Sequence, residues 1–246
     1  MKVQPIQTKI FREGDDLVAF IRAHVPKLKE GSLLVITSKI VALAEKRTAM
    51  PSDLERMIRK ESVWVKKTKY GKLTFKDGMY MWNAGIDASN ANGKIILLPK
   101  DSFAAAKKIY SSVLQKTAIR KFGVIIVDSR IMPLRAGVIG IALGYAGFRG
   151  LRDYRGKKDM FGRRLKYTQT DLADSLASAA IAVMGEGNER QPLCVIEDAP
   201  VDFTRRVSKR ELIVAPEIDM YRPLFKPSAR ASKPRRVRAA SRKRAG

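Results

Sequence analysis

The stretch Gly123-Val124-Ile125-Ile126-Val127-Asp128-Ser129 decides the fold of this chain of 246 residues. Four consecutive β-branched apolar residues after a glycine are typical of a strand that is buried on both faces. The run ends on Asp128, and functional groups of α/β sheets gather at the carboxyl ends of strands. A strand-end aspartate is equally typical of a helix or turn cap, so both interpretations of Asp128 stay open at this point.

Further strands and helices are predicted on both sides of that run. Apolar or alternating segments predict strands at 32–37, 95–98, 138–148 and 193–197 and a basic hairpin at 63–75. Capping residues and helical periodicity predict helices at 16–26, 39–47, 53–61, 102–121 and 170–184, the third of them opened by the capping-box pattern Ser52-Asp53-Leu54-Glu55. Strands interspersed with helices indicate a mixed α/β fold.

Positive charge is concentrated at the C-terminal end of the chain. The protein has 49 Lys and Arg against 24 Asp and Glu, a net charge of +25, and residues 222–246 hold 10 of the basic residues and no acidic one. Few large apolar residues follow Pro223, which is typical of a disordered segment. We therefore predict one domain over residues 1–221 and a basic disordered tail over residues 222–246.

Hydrophobic segments of the kind that membranes and secretion require are missing from the sequence. No run of about 18 uncharged apolar residues occurs, and residues 1–30 have no apolar centre of the signal-peptide kind. We expect a soluble, cytoplasmic protein that makes no membrane contact.

The chain contains one histidine, His24, and one cysteine, Cys194. Helical spacing places His24 on the flank of the first helix, and Cys194 lies in a predicted buried strand. Serine triads, Cys/His dyads and zinc sites built on several such ligands are therefore excluded. Any chemistry must use carboxylates, hydroxyls, basic groups and hard metal ions.

Three polar segments could carry that chemistry. They are Asn83 to Asn90, the pair Asp128-Ser129, and Arg152 to Asp159 followed by Phe161-Gly162-Arg163. Each also has a plain structural interpretation, respectively a turn, a cap and a solvated charged loop. No phosphate-binding loop ending in Gly-Lys-Ser/Thr and no GxGxxG after a strand occurs, so a bound nucleotide would require an unusual fold.

Taken together and in order, these segments resemble the coenzyme F420:L-glutamate ligase family. The resemblance covers about residues 1–200 and is carried by Gly14-Asp15-Asp16-Leu17, Ala44-Glu45 with Arg47, Asn83 to Asn90, Leu98-Pro99 with Asp101, Asp128, Arg135 with Gly137, Asp153-Tyr154-Arg155-Gly156, Asp159, Phe161-Gly162, Ala173-Asp174 and Val183-Met184-Gly185. One accidental motif would not produce a collinear series of this length.

The resemblance implies a mixed α/β fold of two intertwined lobes that forms a homodimer. It also implies an amide ligase that uses GTP, or ATP, to activate an acid as an acyl phosphate, which the amine of L-glutamate then attacks. Mg²⁺ or Mn²⁺ would neutralise the phosphate charge, and such hard ions prefer oxygen ligands. The partners would be a small anionic acid and L-glutamate.

The family's functional residues can be carried onto this sequence position by position. Asp87 and Asp128 match metal-binding, catalytic aspartates, and Ser129 matches a hydroxyl residue that also serves the metal. Nucleotide contacts fall on Ser38, Lys39, Asn90, Met184, Gly185, Glu186, Gly187 and Asn188. The surplus of basic residues on the body makes Arg135, Arg152, Arg155 and Arg163 candidates for binding the anionic substrate.

Three segments depart from the family's pattern. Near the N-terminus, Thr8-Lys9-Ile10-Phe11 stands in place of the expected Ile-Pro-x-Ile. Leu43 stands where the family has a nucleotide-contacting lysine, and Lys39 or Lys46 would have to substitute for it. The segment Arg130 to Leu134 lacks the family's aromatic residues and Gly-Arg pair. A lost charge-assisted contact is commonly worth about 1.5–3 kcal/mol, so these changes bear on the nucleotide pocket more than on the metal ligands.

A second class of function stays open from the sequence. The same scaffold could be a non-catalytic binding protein, attached to RNA or the ribosome through its basic body and tail, because phosphate contacts give sequence-independent affinity. The tail has no aromatic residue after Phe225 to stack on bases, and a basic tail is also common as a solubilising appendage.

Overall fold

The structure is a computed structural model that describes residues 1–25 and 27–224. Its strands are β1 (Lys2–Ile6), β2 (Ser32–Thr37), β3 (Thr48–Ala49), β4 (Trp64–Thr68), β5 (Gly71–Lys76), β6 (Met79–Trp82), β7 (Ile95–Ile96), β8 (Phe122–Ile131), β9 (Val138–Ala146), β10 (Leu151–Asp153), β11 (Gln169–Asp171) and β12 (Leu193–Glu197). Its helices are α1 (Leu17–His24), α2 (Ser38–Ala44), α3 (Leu54–Glu61), α4 (Ser102–Lys116) and α5 (Leu172–Met184).

A five-stranded sheet in the order β1-β12-β2-β8-β9 forms the centre of the fold. Only β2 and β8 are parallel, and the remaining neighbours are antiparallel. Helix α5 packs on one face of the sheet, whereas α1, α2 and α4 cover the other. Because both faces are covered, the central segments 33–36 of β2 and 124–127 of β8 are entirely apolar, as their sequences predict.

A second, three-stranded antiparallel sheet in the order β4-β5-β6 precedes the Asn83 segment. The apolar side of α3 packs with Ile86, Ile95 and Val65 into a separate small core. This sheet includes the hairpin predicted from the alternation at 63–75, with the additional strand β6 that the alternation does not reveal. The mixed α/β class is thereby confirmed.

The edge strand β9 is protected by side chains of helix α5. The Asp174 carboxylate accepts a hydrogen bond from the Ala142 amide (2.8 Å), and the Ser178 hydroxyl donates to the Gly140 carbonyl (2.7 Å). These bonds satisfy backbone groups that an edge strand would otherwise leave unpaired. The sequence alone predicts only that Asp174 lies near the N-terminal end of a helix.

Several predicted boundaries are wrong. Strand β8 does not end at Asp128 but continues to Ile131, because β9 pairs with it as far as Val138. Helix α4 ends at Lys116 rather than near residue 121, and α2 ends at Ala44. The predicted capping box before α3 does not form, because Ser52 lies within a 3-10 turn (Pro51–Asp53) and Asp53 takes the N-cap position. The Asp53 carboxylate accepts from Arg56 instead of from a backbone amide.

The chain divides into two compact units, Met1–Leu212 and Ile213–Gly246. In the second unit the described residues 213–224 end in one turn of 3-10 helix, Arg222–Leu224, where the Arg222 guanidinium donates to the Glu217 carbonyl at 3.2 Å. From residue 225 onward the predicted tail lies outside the described residues. Its boundary at residue 222 and its disorder stay predictions.

No helix within residues 1–25 and 27–224 has the length and apolar character that crossing a membrane would require.

Candidate active site

An open cleft of about 1270 Å³ lies beside the carboxyl end of β2 and the middle of β8. Its walls come from the first turn of α2, the Asp87 loop, β8, the segment before α1 and the segment after α5. The predicted metal and nucleotide residues on its lining are Ser38, Lys39, Asp87, Asn90, Asp128, Ser129, Met184, Gly185, Glu186, Gly187 and Asn188. The structure therefore brings together in one cleft residues that the sequence scatters over 150 positions.

The register between the two parallel strands builds the floor of the cleft. Thr37 lies opposite Val127, so the next residues along the two strands, Ser38 and Asp128, are neighbours. The Ser38 hydroxyl donates to Asp128 Oδ1 at 2.9 Å. The chain turns into α2 at Ser38, whereas β8 continues straight, and this divergence opens space above Asp128.

Asp128 is a half-buried residue on the lining of the cleft. Burial raises its pKa to about 6, although the positive charge of Arg130 and the hydrogen bond from Ser38 oppose this. Arg130, which is 8% exposed, donates from Nη1 to the Tyr80 carbonyl at 3.2 Å. Its Nη2 has no partner among the described residues. The arginine that replaces the family's aromatic residue thus puts a buried cation next to Asp128.

The Asp87 carboxylate is held by Lys39 and Ser89. Lys39 Nζ donates to Asp87 Oδ2 (2.8 Å), to the Ser89 carbonyl (2.9 Å) and to Ser89 Oγ (2.9 Å). The Ser89 amide donates to Asp87 Oδ1 at 2.7 Å. Burial alone would raise the pKa of Asp87, but the hydrogen bonds from Lys39 and Ser89 outweigh it and lower the pKa below its usual value. Asp87 therefore stays ionised at neutral pH.

The segment after α5 closes the opposite wall of the cleft. Gly185 ends the helix at φ +80° and ψ 173°, a backbone conformation that essentially only glycine adopts. The Asn90 side-chain amide donates to the Gly187 carbonyl at 3.2 Å. Burial raises the pKa of Glu186, opposed by its hydrogen bond with Ser129. These two contacts tie the segment to the Asp87 loop and to β8.

The oxygen atoms in the cleft suit a hard divalent cation. Asp87, Asp128, Glu186 and the Ser129 hydroxyl offer only oxygen, which Mg²⁺ and Mn²⁺ prefer. The Lys39 ammonium already acts on all three carboxylates, which shows that positive charge is favourable at this place. In the part of the chain that the structure describes, no group of three or more Asp, Glu, His or Cys side chains is placed so that it could hold a metal ion by itself. Phosphate oxygens and water would have to complete the coordination.

The four candidate substrate arginines lie elsewhere, and none of them lines the cleft. Arg155 forms a bidentate ion pair with Asp153, whose pKa its guanidinium lowers to about 2. Arg152 donates to the Pro200 carbonyl. The Arg163 amide donates to Asp159 Oδ1 (2.9 Å), and the Arg135 amide donates to the Met132 carbonyl (3.2 Å), so both lie in turns. Their binding of substrate stays a prediction.

Three cations that the sequence did not single out line the cleft: Lys9, Arg12 and Lys94. The only signal for Lys9 was the departure from the family's pattern at Thr8-Lys9-Ile10-Phe11, and the other two carried none. Leu43 lines the cleft as well, and of its two suggested substitutes Lys39 lines the cleft whereas Lys46 does not. Lysines and arginines from other segments thus supply the positive charge that Leu43 lacks.

Comparisons with known proteins identify the family of this chain. A sequence model described as F420-0:Gamma-glutamyl ligase matches residues 50–198. The chain is 36% identical over 215 residues to the coenzyme F420:L-glutamate ligase of Methanococcus maripaludis strain S2, with 85% of this chain and 86% of that protein covered. It is 35% identical to the enzyme of the same name from Methanocaldococcus jannaschii, with the same coverage. It is 32% identical over 243 residues to that of Methanopyrus kandleri, covering 89% of this chain and 95% of that protein. The chain therefore belongs to the F420-0:gamma-glutamyl ligase family.

Proposed function

We propose that this protein is an amide ligase that joins L-glutamate to an acid acceptor with consumption of GTP or ATP and with Mg²⁺ or Mn²⁺. The names of its relatives, coenzyme F420:L-glutamate ligase, support a precursor of that coenzyme as the acceptor. One observation carries the proposal: Asp87, Asp128 and the Met184–Asn188 segment converge on a single cleft.

The reaction proceeds through an acyl phosphate. A carboxylate oxygen of the acceptor attacks the terminal phosphorus of the nucleotide, and the nucleoside diphosphate leaves. The amine of L-glutamate then attacks the acyl carbon, phosphate leaves, and the amine loses a proton. A divalent cation, when bound, supplies charge neutralisation on the phosphates.

The residues of this chain have separate tasks in that scheme. Asp87, Asp128, Ser129 and Glu186 offer the oxygen ligands for the cation. Ser38, Asn90 and the two glycines after α5 let the nucleotide approach backbone and side-chain donors closely. Lysines and arginines on the cleft wall oppose the negative charge of the phosphates and of the acceptor.

The test is a reaction of the purified full chain with nucleotide, Mn²⁺, L-glutamate and the F420 precursor. We expect phosphate release together with a product one glutamate heavier by mass spectrometry. Asp128→Asn keeps the shape but removes the charge, so the rate should fall at least a hundredfold, whereas Asp198→Asn on an outer turn should leave it unchanged. An unaffected Asp128→Asn rate would contradict the proposal.

A homodimer is part of the proposal. The end of the β8–β9 hairpin exposes Ile131, Met132, Leu134, Val138 and Ile139, with Leu134 fully exposed. An apolar patch of this kind on a soluble domain commonly marks a protein–protein interface. Sedimentation velocity should give a dimer for the wild type and a monomer for Leu134→Lys; a monomeric wild type would refute the assignment.

The comparisons do not favour the alternative of a non-catalytic RNA- or ribosome-binding protein. The relatives are named as ligases, and the match covers most of their length. Binding of nucleic acid by residues 222–246 remains a prediction for a segment mostly outside the described residues. The cytoplasmic location likewise remains a prediction.

A further inference from the structure

The chain leading to Asp87 contains three consecutive residues in the left-handed backbone region. Asn83, Ala84 and Gly85 have φ of 47°, 58° and 71°. Glycine adopts this region readily and Asn tolerates it, but Ala does so only when its surroundings enforce it. Backbone strain of this kind is held near functional sites, so the contacts that enforce it are informative.

The hydroxyl of Thr74 in strand β5 is one of those contacts. Thr74 is fully buried, its Oγ1 donates to the Met81 carbonyl at 2.7 Å, and the same oxygen accepts from the Ala84 amide at 2.9 Å. One hydroxyl therefore uses both its donor and an acceptor position to link β6 to the turn. A second contact fixes the preceding residue, because Asn83 Oδ1 accepts from the Lys72 amide at 2.9 Å.

The turn leads directly into Asp87. The Ile86 amide donates to the Asn83 carbonyl at 3.0 Å, and Ile86 is buried in the small core beneath α3. The Asp87 backbone then pairs in both directions with Ile96, at 3.0 and 2.8 Å. Only Ile86 separates the turn from this pairing, so a change in the turn displaces the Asp87 carboxylate.

We propose that Thr74 is a positioning residue for Asp87, acting through the left-handed turn at Asn83 and Ala84. Thr74 does not line the cleft and so touches neither substrate nor metal. On this view the three-stranded sheet serves as a rigid support for one metal ligand. The inference rests on the proposed function, because it assumes that Asp87 binds the cation.

The experiment measures Mn²⁺ affinity of the full chain by calorimetry, without nucleotide or acceptor. Thr74→Val keeps the shape and removes the hydroxyl, and we expect Mn²⁺ affinity to fall about tenfold, the lower end of the range for partners that orient a metal ligand. Thr74→Ser keeps the hydroxyl and should restore Mn²⁺ affinity to within about twofold of the wild type.

A matched control separates positioning from general stability. Val65 lies opposite Thr74 on the neighbouring strand and packs in the same small core. Val65→Ala should lower the melting temperature while leaving Mn²⁺ affinity within about twofold. Equal losses of affinity in Val65→Ala and Thr74→Val would overturn the inference.

Asp87→Asn separates failure of this inference from failure of the proposed function. If Asp87→Asn loses Mn²⁺ binding but Thr74→Val does not, the positioning role is wrong and the metal site stands. If Asp87→Asn binds Mn²⁺ as the wild type does, the metal assignment itself is wrong. Should Thr74→Val not fold, Thr74→Cys replaces it: its weaker hydrogen bonds should give lower affinity than Thr74→Ser, and equal affinities would overturn the inference.

Discussion

Replacing Lys39 with methionine should change metal and nucleotide binding in opposite directions. The Lys39 ammonium donates to one oxygen of Asp87 and to two oxygens of Ser89. A cation that binds Asp87 must compete with this ion pair, whereas a nucleotide phosphate would gain from the positive charge. Lys39→Met keeps most of the side chain's apolar length and removes only the charge.

The solvent exposure of the Lys39 and Asp87 side chains sets the expected size of the change in Mn²⁺ affinity. The side chains of Lys39 and Asp87 are 26% and 47% exposed, so their ion pair is worth about 0.5–1 kcal/mol after solvent screening. Its loss should tighten Mn²⁺ binding in the absence of nucleotide by about 2- to 5-fold. Loss of a charge-assisted bond to phosphate costs about 1.5–3 kcal/mol, so GTP affinity at saturating Mn²⁺ should fall roughly 10- to 150-fold.

Two calorimetric titrations check this prediction, one with Mn²⁺ alone and one with GTP in saturating Mn²⁺. Lys46→Met is the matched control, because it removes the same charge from a residue that does not line the cleft. It should alter both affinities by less than about twofold. The reasoning is refuted if Lys39→Met weakens Mn²⁺ binding, or if it leaves GTP affinity unchanged.

Two further predictions concern the altered pocket and a buried acidic pair. Leu43→Lys returns a cation to the cleft wall and should tighten GTP binding about tenfold in a fluorescence or calorimetric titration. Met50→Lys, at an exposed position, is the control and should leave GTP affinity unchanged. Burial, and after it the charge of neighbouring Asp174, raise the pKa of Asp171 to about 6. The folded state therefore favours protonated Asp171, and the ionised form that replaces it as pH rises through 6 destabilises the fold. Asp171→Asn keeps the N-cap acceptor for the Asp174 amide and removes the charge. In chemical denaturation it should stabilise the fold by about 1 kcal/mol at pH 8, after discounting for partial exposure, and by nearly nothing at pH 4. An equal effect at both pH values would contradict this.

The elements that the sequence predicts well are those whose environment is uniform along their length. The strands at 32–37 and 193–197 are buried on both faces, so hydrophobicity alone defines them. Helix α5 shows an Asp cap and a continuous apolar side. By contrast, β1 and β6 are strands only because a partner strand lies beside them, and Asp128 is not at a strand end because β9 pairs beyond it.

The residues of the candidate site likewise divide into those that the sequence indicates and those that it does not. Residue types singled out the Asn83 to Asn90 segment and Asp128-Ser129, and the resemblance to the family then assigned roles to Asp87, Asp128 and the segment after α5. Neither could find Lys94, because a lysine in a basic chain carries no local signal. Nor could either exclude the four arginines from the cleft, because their position depends on turns, such as the one in which the Arg163 amide donates to Asp159, and on the ion pair between Arg155 and Asp153.

By itself, the sequence determined the mixed α/β class, the oxygen-based chemistry and the family resemblance, because composition and ordered motifs are properties of the chain. Only the tertiary structure decided that Ser38 meets Asp128, that Lys39 neutralises Asp87, and that Thr74 supports the turn before it. Those contacts depend on strand register and on left-handed backbone angles. Both arise when distant segments pack against each other, so no local pattern of residues encodes them.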